Sequence, residues 1–429
     1  MAKHELWELQ QWQALPLNIK IRMTQERIRS WVNEYGEDGV YVSFSGGKDS
    51  TVLLHIVRNL YPNIKAVFVD TGLEYPEIRD FVKSFDNVDW LRPKMNFKQV
   101  IEKYGYPFIS KEVSECVDGA RKYIKILTDR QTDRQTDSTV CSILQKTARN
   151  GRVQESRNGF TNTTNSWDKE SLLRGSRGGT TTSIVNFEEL ENIIQTEKTP
   201  RKLKLLMNML TKDNKVAMEN TPSFDRSRFS CERYKFFLNA PFEISSKCCS
   251  VMKKAPVHEY AKKTGRKPMT AQMASESRLR TQQWLKNGCN GFDMKSPISN
   301  PMAFWTEQDV LLYIYENKLP IASVYGEVVK DYDRMGQIDG QMDMSELASE
   351  FGIFDLGRPL LKTTGCDRTG CMFCGYGCHL EKSPNRFERM KETHPKQYDY
   401  IMRPTEQGGL NYKEVIDWIN ENGNMDIKY

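Results

Sequence analysis

The stretch Ser43-Phe44-Ser45-Gly46-Gly47-Lys48-Asp49-Ser50-Thr51 joins an apolar run (Val40, Tyr41, Val42, Phe44) to a helical pattern (Val52, Leu53, Ile56, Val57, Leu60). A strand that ends in paired glycines and then opens a helix leaves several backbone N–H groups aimed at one spot, where the helix dipole favours an anion. Gly46 and Gly47 permit close approach and positive φ without a Cβ clash. Ser45 and Ser50 add hydroxyl donors, and Lys48 supplies a point charge. These features specify a phosphate-binding loop. The Walker A spacing would need a glycine where Val42 sits, so the loop differs from that of kinases and GTPases.

The surroundings of the loop extend the constraint. Leu17, Ile21, Ile28, Trp31, Val32 and Tyr35 recur at helical spacing, and Gly36 is a natural stop. Apolar runs at 40–44, 64–69 and 88–91 then alternate with helical patterns, which means a parallel sheet with right-handed crossovers. Asp70-Thr71-Gly72 follows the second run, and Pro76 with Glu77 opens the next helix. Ligands of such sheets sit at the carboxyl ends of the strands, where both segments fall. Further on, residues 269–273 and 275–284 read as strand and helix. Trp305, Val310, Tyr313 and Ile314 form a helical face ended by Pro320, and 384–402 and 412–420 carry two C-terminal helical patterns.

Composition narrows the class. Of the 429 residues 38% are hydrophobic and 28% charged, with no apolar run of roughly 18 residues to span a membrane. The first twelve residues lack an apolar signal core, so a cytoplasmic location with no membrane partner is expected. Ten cysteines in that setting point to metal ligands, catalytic groups or free thiols rather than a disulfide framework. The net charge of +6 is concentrated: residues 120–235 hold 22 Lys and Arg against 14 Asp and Glu. From about residue 128 the pattern turns polar and repetitive, with Thr-Asp-Arg-Gln at 128–131 and again at 132–135, so a mobile insertion is expected, with two short helices in its second half (Leu190 to Leu210). A basic segment of this kind either lies along RNA or DNA or forms a solvated face.

Cys366, Cys371, Cys374 and Cys378 fall within thirteen residues, and Cys248 and Cys249 stand side by side upstream. A C-x2-C turn flanked by Gly370, Gly375 and Gly377 lets two thiolates converge on one metal. Both zinc and an iron–sulfur (4Fe-4S) cluster accept four thiolates; adjacent cysteines suit the larger cube better than one tetrahedral zinc. Free redox thiols are the third reading. Cys116, Cys141, Cys231 and Cys289 read as buried or incidental thiols, and His379 and His394 as surface or core.

The loop Ser45-Gly46-Gly47-x-Asp49-Ser50 matches the PP-motif of enzymes that split ATP between its α and β phosphates. Asp70-Thr71-Gly72 with Pro76-Glu77, the Cys248-Cys249 pair followed by Lys253 and Lys254, the Glu276-Ser277-Arg280 segment, and Pro301, Trp305, Thr306, Asp309, Val310 and Tyr313 complete the pattern. With the C-x2-C at Cys371 and Cys374, the chain resembles the phosphoadenosine phosphosulfate (PAPS) reductase family of the PP-loop superfamily over about residues 17–125 and 235–380.

The resemblance implies an α/β fold, a three-layer parallel sheet of PP-loop/HUP type with a low-complexity insertion and a C-terminal cysteine-rich helical region. It divides the chain into a nucleotide-binding part (1–127), the insertion (128–230), a second part of the same domain (231–330), and a cluster region with C-terminal helices (331–429). The nucleotide would contact Ser43, Ser45, Gly46, Gly47, Lys48, Asp49, Ser50, Asp70, Thr71, Gly72, Glu77 and Arg280. Asp49 would hold Mg²⁺ or cap its helix, and Arg280 would pair with a phosphate or form a surface ion pair. The metal set is Cys248, Cys249, Cys371 and Cys374, which leaves Cys366 and Cys378 as sulfur carriers, or one upstream cysteine with Cys366, Cys371 and Cys374.

Two departures point toward ATP: no cysteine follows Cys378, where sulfonucleotide reductases carry one, and the glycine loop is intact. The leading expectation is an enzyme that adenylates a substrate with ATP, with Lys48 and Asp49 assisting, and transfers sulfur from a donor protein or thiol. Reduction of PAPS or its 3′-unphosphorylated relative (APS) to sulfite is the second expectation, and a nucleic-acid-associated defence subunit the third. A homodimer is compatible with each.

Overall fold

A computed structural model describes residues 3–133, 203, 206–207, 231–331 and 360–429. The expected insertion lies outside the described residues, apart from its first six positions and Leu203, Leu206 and Met207. Those six positions continue a helix that runs to Asp133. The chain forms two compact units interleaved in sequence: residues 1–96 with 251–372, and residues 97–250 with 373–429. The boundary between them therefore runs inside the C-x2-C motif.

The first unit carries helices α1 (Leu6–Ala14), α2 (Leu17–Tyr35), α3 (Lys48–Leu60) and α4 (Pro76–Lys83) between strands β1 (Val40–Ser43), β2 (Ala66–Val69) and β3 (Val88–Leu91). Its six-stranded sheet has the order β3-β2-β1-β5-β7-β6, where β5 is Lys267–Met269, β6 Asn290–Gly291 and β7 Ile298–Ser299. All neighbours are parallel except the β6–β7 edge pair. β1, with Val40, Tyr41 and Val42 buried, sits inside the sheet and is covered on both faces, which explains its unbroken apolar run. α2 buries Ile28, Trp31 and Val32 and stops at Gly36, held at φ 75°. The strand expected at 269–273 ends at Met269, although Thr270 still donates to Ser299 O at 2.8 Å. The helix expected from Ser275 begins at Arg278, capped by Ser277 (Arg278–Asn287). A long-range ion pair locks this unit: Lys20 Nζ meets Asp309 Oδ2 at 2.6 Å, both almost fully buried, and Asp309 also caps its own helix through Thr306.

The second unit contains α5 (Phe97–Tyr104), β4 (Phe108–Ile109), α6 (Lys111–Asp133), a 3-10 segment at Glu232–Asn239, and β8 (Gly375–Tyr376), which pairs in parallel with β4. The C-terminal patterns resolve into three helices, Arg386–Thr393, Pro395–Met402 and Tyr412–Gly423. Aromatic rings fill the core, with Tyr412 between Tyr106, Phe108 and Phe387. Among the described residues no helix is long and apolar enough to cross a membrane.

Candidate nucleotide site and cysteine set

The loop that opens α3 is built by its own residues. Ser50 Oγ donates to Gly47 O at 2.9 Å and accepts from Ser45 N at 3.2 Å, and Thr51 Oγ1 donates to the same carbonyl at 3.0 Å. Gly46 holds φ 71°, and a Cβ there would meet Ile78 and Val82 of α4 at 2.8 Å. The position therefore requires glycine on two counts, backbone conformation and space. Gly47, the N-cap of α3, has ordinary φ and looser surroundings.

Charge gathers at this helix start. Lys48 is buried; its Nζ lies 3.3 Å from Glu307 Oε1 and over the ring of Tyr325 at 5.4 Å. Burial raises the Asp49 carboxyl above its ordinary value, against the pull of Lys48, Arg368 and Arg280. Arg280 forms an ion pair with Glu276, and burial and Arg368 lower its pKa. Tyr325 Oη shares a hydrogen with Thr369 Oγ1 at 2.5 Å, and the charge of Cys366 reaches its phenol. Cys366 itself is half-buried and tied by its backbone to Val324 at 2.9 Å.

Beside the loop a cleft opens at the carboxyl ends of β1 and β2. Phe44, Val67, Val69, Ile78 and Val257 give it apolar walls, while Ser43, Ser45, Glu74, Lys253 and Thr369 supply polar edges. Asp70 is not part of the lining. It is buried and paired to Arg79 at 2.9 Å, and its Oδ1 accepts from Gly72 N at 3.3 Å. Thr71 is bound through its amide and hydroxyl to Glu74, which in turn faces Lys253 at 3.8 Å. Asp70 and Thr71 thus shape the turn, and Glu74 reaches the cleft. Glu77 stands in the first turn of α4. Cys371 follows Thr369 and Gly370 of the cleft lining, and Met372 N binds Leu73 O at 2.8 Å.

In the second unit, Cys248, Cys249, Cys374 and Cys378 come near one another through their shared neighbours. Burial, with the charges of Cys248, Cys249 and Cys374, raises the phenol of Tyr376, and the fully buried Tyr412 feels Cys374, Cys248 and Cys378. Burial also raises the thiols of Cys374 and Cys378, the latter to about 12, against the lowering effect of Arg386. That guanidinium donates to Cys374 O at 2.6 Å and is braced by Glu381 at 2.5 Å. Tyr412 Oη donates to Phe373 O at 2.6 Å and Tyr376 Oη to Ser245 O at 3.0 Å, fixing the backbone on either side of the thiols. The donors are all thiols, the chemistry an iron–sulfur cluster or zinc needs. Among the described residues no three His, Cys, Asp or Glu side chains are already closed to metal-holding geometry.

Sequence reasoning missed Glu307, Tyr325, Arg368, Thr369 and Glu74. Glu307 was in view as an unassigned position beside Thr306, and Arg368-Thr369-Gly370 immediately precedes Cys371. Tyr325 had no signal, because only the fold brings its ring to Lys48.

The chain matches a protein-family model described as "Phosphoadenosine phosphosulfate reductase domain" over residues 39–141 and 184–375, well over half its length. A phosphoadenosine 5′-phosphosulfate reductase of Xylella fastidiosa is 32% identical over 83 residues, 19% of this chain and 33% of that protein. An adenosine 5′-phosphosulfate reductase of Geobacillus kaustophilus is 24% identical over 132 residues, 29% and 55% of the respective chains. An uncharacterized protein of Methanocaldococcus jannaschii is 40% identical over 73 residues, 16% of this chain and 18% of that one. These alignments span only 18% to 55% of the relatives' own lengths. A solved PAPS reductase of Candida auris, in a phosphate complex, covers 70% of this chain and 82% of its own at 12% identity, with a TM-score of 0.30.

Proposed function

Because the chain belongs to the phosphoadenosine phosphosulfate reductase domain family, we propose that it is an enzyme that binds ATP, cleaves it between the α and β phosphates to adenylate a substrate, and passes sulfur to the activated position. The observation that carries this reading is the glycine loop at the start of α3, with Lys48, Arg280 and Arg368 around Asp49, beside an apolar cleft. The adenine ring would lie against the walls formed by Phe44, Val67 and Ile78, and the triphosphate against the amides of Gly46 and Gly47. Donors at that point stabilise the charge that builds on departing pyrophosphate. A substrate oxygen attacks the α phosphorus, the bond to the β-phosphate oxygen breaks, and pyrophosphate leaves. A sulfur nucleophile then displaces AMP.

Cys366 is the favoured sulfur carrier, since its backbone is tied to Val324 beside Tyr325, whose ring lies over Lys48, whereas Cys378 is fully buried. Asp49 would hold Mg²⁺ when the nucleotide is bound. Cys248, Cys249, Cys374 and Cys378 would hold an iron–sulfur cluster or zinc, which when bound supplies redox or thiophilic metal chemistry. A sulfur donor protein or thiol is the implied partner.

The test is nucleotide binding and product analysis on anaerobically purified protein. ATP binding with pyrophosphate release in the presence of an acceptor supports the reading; no detectable ATP binding overturns it. Sulfonucleotide reduction is the second reading, favoured by the names of the relatives from Xylella and Geobacillus. Sulfite formed from PAPS or APS with a thiol donor, without pyrophosphate release from ATP, would select it. Cys374→Ser is expected to lower bound iron or zinc at least twofold and leave ATP affinity unchanged; unaltered metal content would remove Cys374 from the ligand set.

A further inference from the structure

Two cysteines outside the nucleotide and metal readings meet in the second unit. Cys116 lies on the second turn of α6, and Cys231 immediately precedes the Glu232–Asn239 segment, 115 positions away in sequence. Both side chains are buried, at 3% and 4% exposure, and the two thiols share a hydrogen bond. The elements that carry them are stitched together. Arg121 of α6 donates to the carbonyl oxygens of Phe242, at 2.7 Å, and Ala240, and pairs with Glu243 at 3.0 Å. Tyr234 N returns to Cys231 O at 2.9 Å, closing the turn that presents the thiol. The sequence treats each cysteine as an isolated small apolar residue; the fold makes them neighbours with a fixed partner.

A hydrogen-bonded thiol pair on firmly docked elements needs only a small closure to reach the roughly 2 Å of an S–S bond. We propose that Cys116 and Cys231 form a dithiol site that a disulfide oxidant converts to an intramolecular disulfide, stapling the two ends of the segment between them. The reaction balances as two exchanges. The Cys116 sulfur, its proton released to solvent, attacks one sulfur of the oxidant and expels the first thiol. The Cys231 sulfur, losing its proton in turn, attacks the mixed disulfide, forms the Cys116–Cys231 bond and expels the second. The pair loses two electrons, and the oxidant is reduced to two thiols. The hydrogen bond with Cys116, and then burial, raise the Cys231 thiol above its ordinary value, so the exchange is slow and waits on local opening. A cross-link over so long a loop restricts the unfolded chain and stabilises the native one.

The experiment incubates the full-length protein with oxidised glutathione, alkylates remaining thiols in denaturant, and maps unreduced peptides by mass spectrometry. The expected result is a Cys116–Cys231 peptide two hydrogens lighter than its parts, lost on dithiothreitol treatment and absent from Cys116→Ser and Cys231→Ser. Oxidised wild type should melt at least about 5 °C above the reduced protein, a gain neither variant shows. Should a serine variant fail to fold, the wild-type peptide map decides alone. The proposal is overturned if oxidation joins either cysteine to another, Cys141 included, or if both remain open to alkylation after prolonged treatment.

Discussion

The two units build their candidate sites in opposite ways. In the first, the glycine loop is made by consecutive residues that bond one another: Ser45, Gly47, Ser50 and Thr51 close the turn within seven positions. In the second, Cys248 and Cys249 come near Cys374 and Cys378 from well over a hundred positions away, and buried phenols and one guanidinium hold the arrangement. A local turn draws its geometry from the chain's own dihedral preferences and helix dipole. An assembled set draws its geometry from packing, so it is sensitive to substitutions that touch no cysteine.

That contrast can be broken or sharpened by substitution. The largest effect is expected at Lys20, the long-range lock of the first unit: Lys20→Met removes the cation paired with the buried Asp309 carboxylate and should cost about 3–5 kcal/mol, read by denaturant unfolding. A cost under about 1 kcal/mol would show that the unit does not depend on this tie. Next comes Gly46→Val, where a side chain would need φ near 71° and would strike Ile78 and Val82. ATP affinity should fall at least about 100-fold by calorimetry, while the metal content of the cysteine set stays unchanged. Loss of both together would mean that the two sites are not separable.

Tyr412→Phe should cost about 1–2 kcal/mol by leaving Phe373 O without its donor, and should speed alkylation of Cys374 several-fold, with ATP binding unchanged. The smallest effect is expected at Asp49. Burial raises its pKa, so the folded chain takes a proton more readily than the unfolded one. The stability this gives is fully present below the ordinary value of 3.8 and is lost as pH rises through the raised folded value. The ionised carboxylate is therefore a burden at neutral pH, and Asp49→Asn should melt slightly higher there but not at pH 3, while its ATP turnover falls. A lower melting temperature at pH 7 would show that the surrounding cations outweigh the burial.

Much of the first unit was readable in advance. The helix stopping at Gly36, the strands within the apolar runs 40–44, 64–69 and 88–91, and the Pro76 helix start all follow from periodicity and from residues with special backbone demands. The strand expected to reach Met273 stops at Met269, because after Thr270 the chain turns away from β7 and its alternation no longer has a partner. Asp70, read in advance as a nucleotide contact, pairs its carboxylate with Arg79, and the neighbouring cleft is edged by Glu74, which the sequence did not single out.

By itself the sequence determined a glycine elbow at the head of a helix and a parallel sheet beneath it, because glycine conformation and hydrophobic period act over a few neighbouring residues. Tertiary structure alone decided which charges surround that elbow, that Tyr325 covers Lys48, and that Cys116 meets Cys231. Those pairings span tens to hundreds of positions and depend on which faces the packed elements bury, a choice made by the whole core and written in no short stretch of the chain.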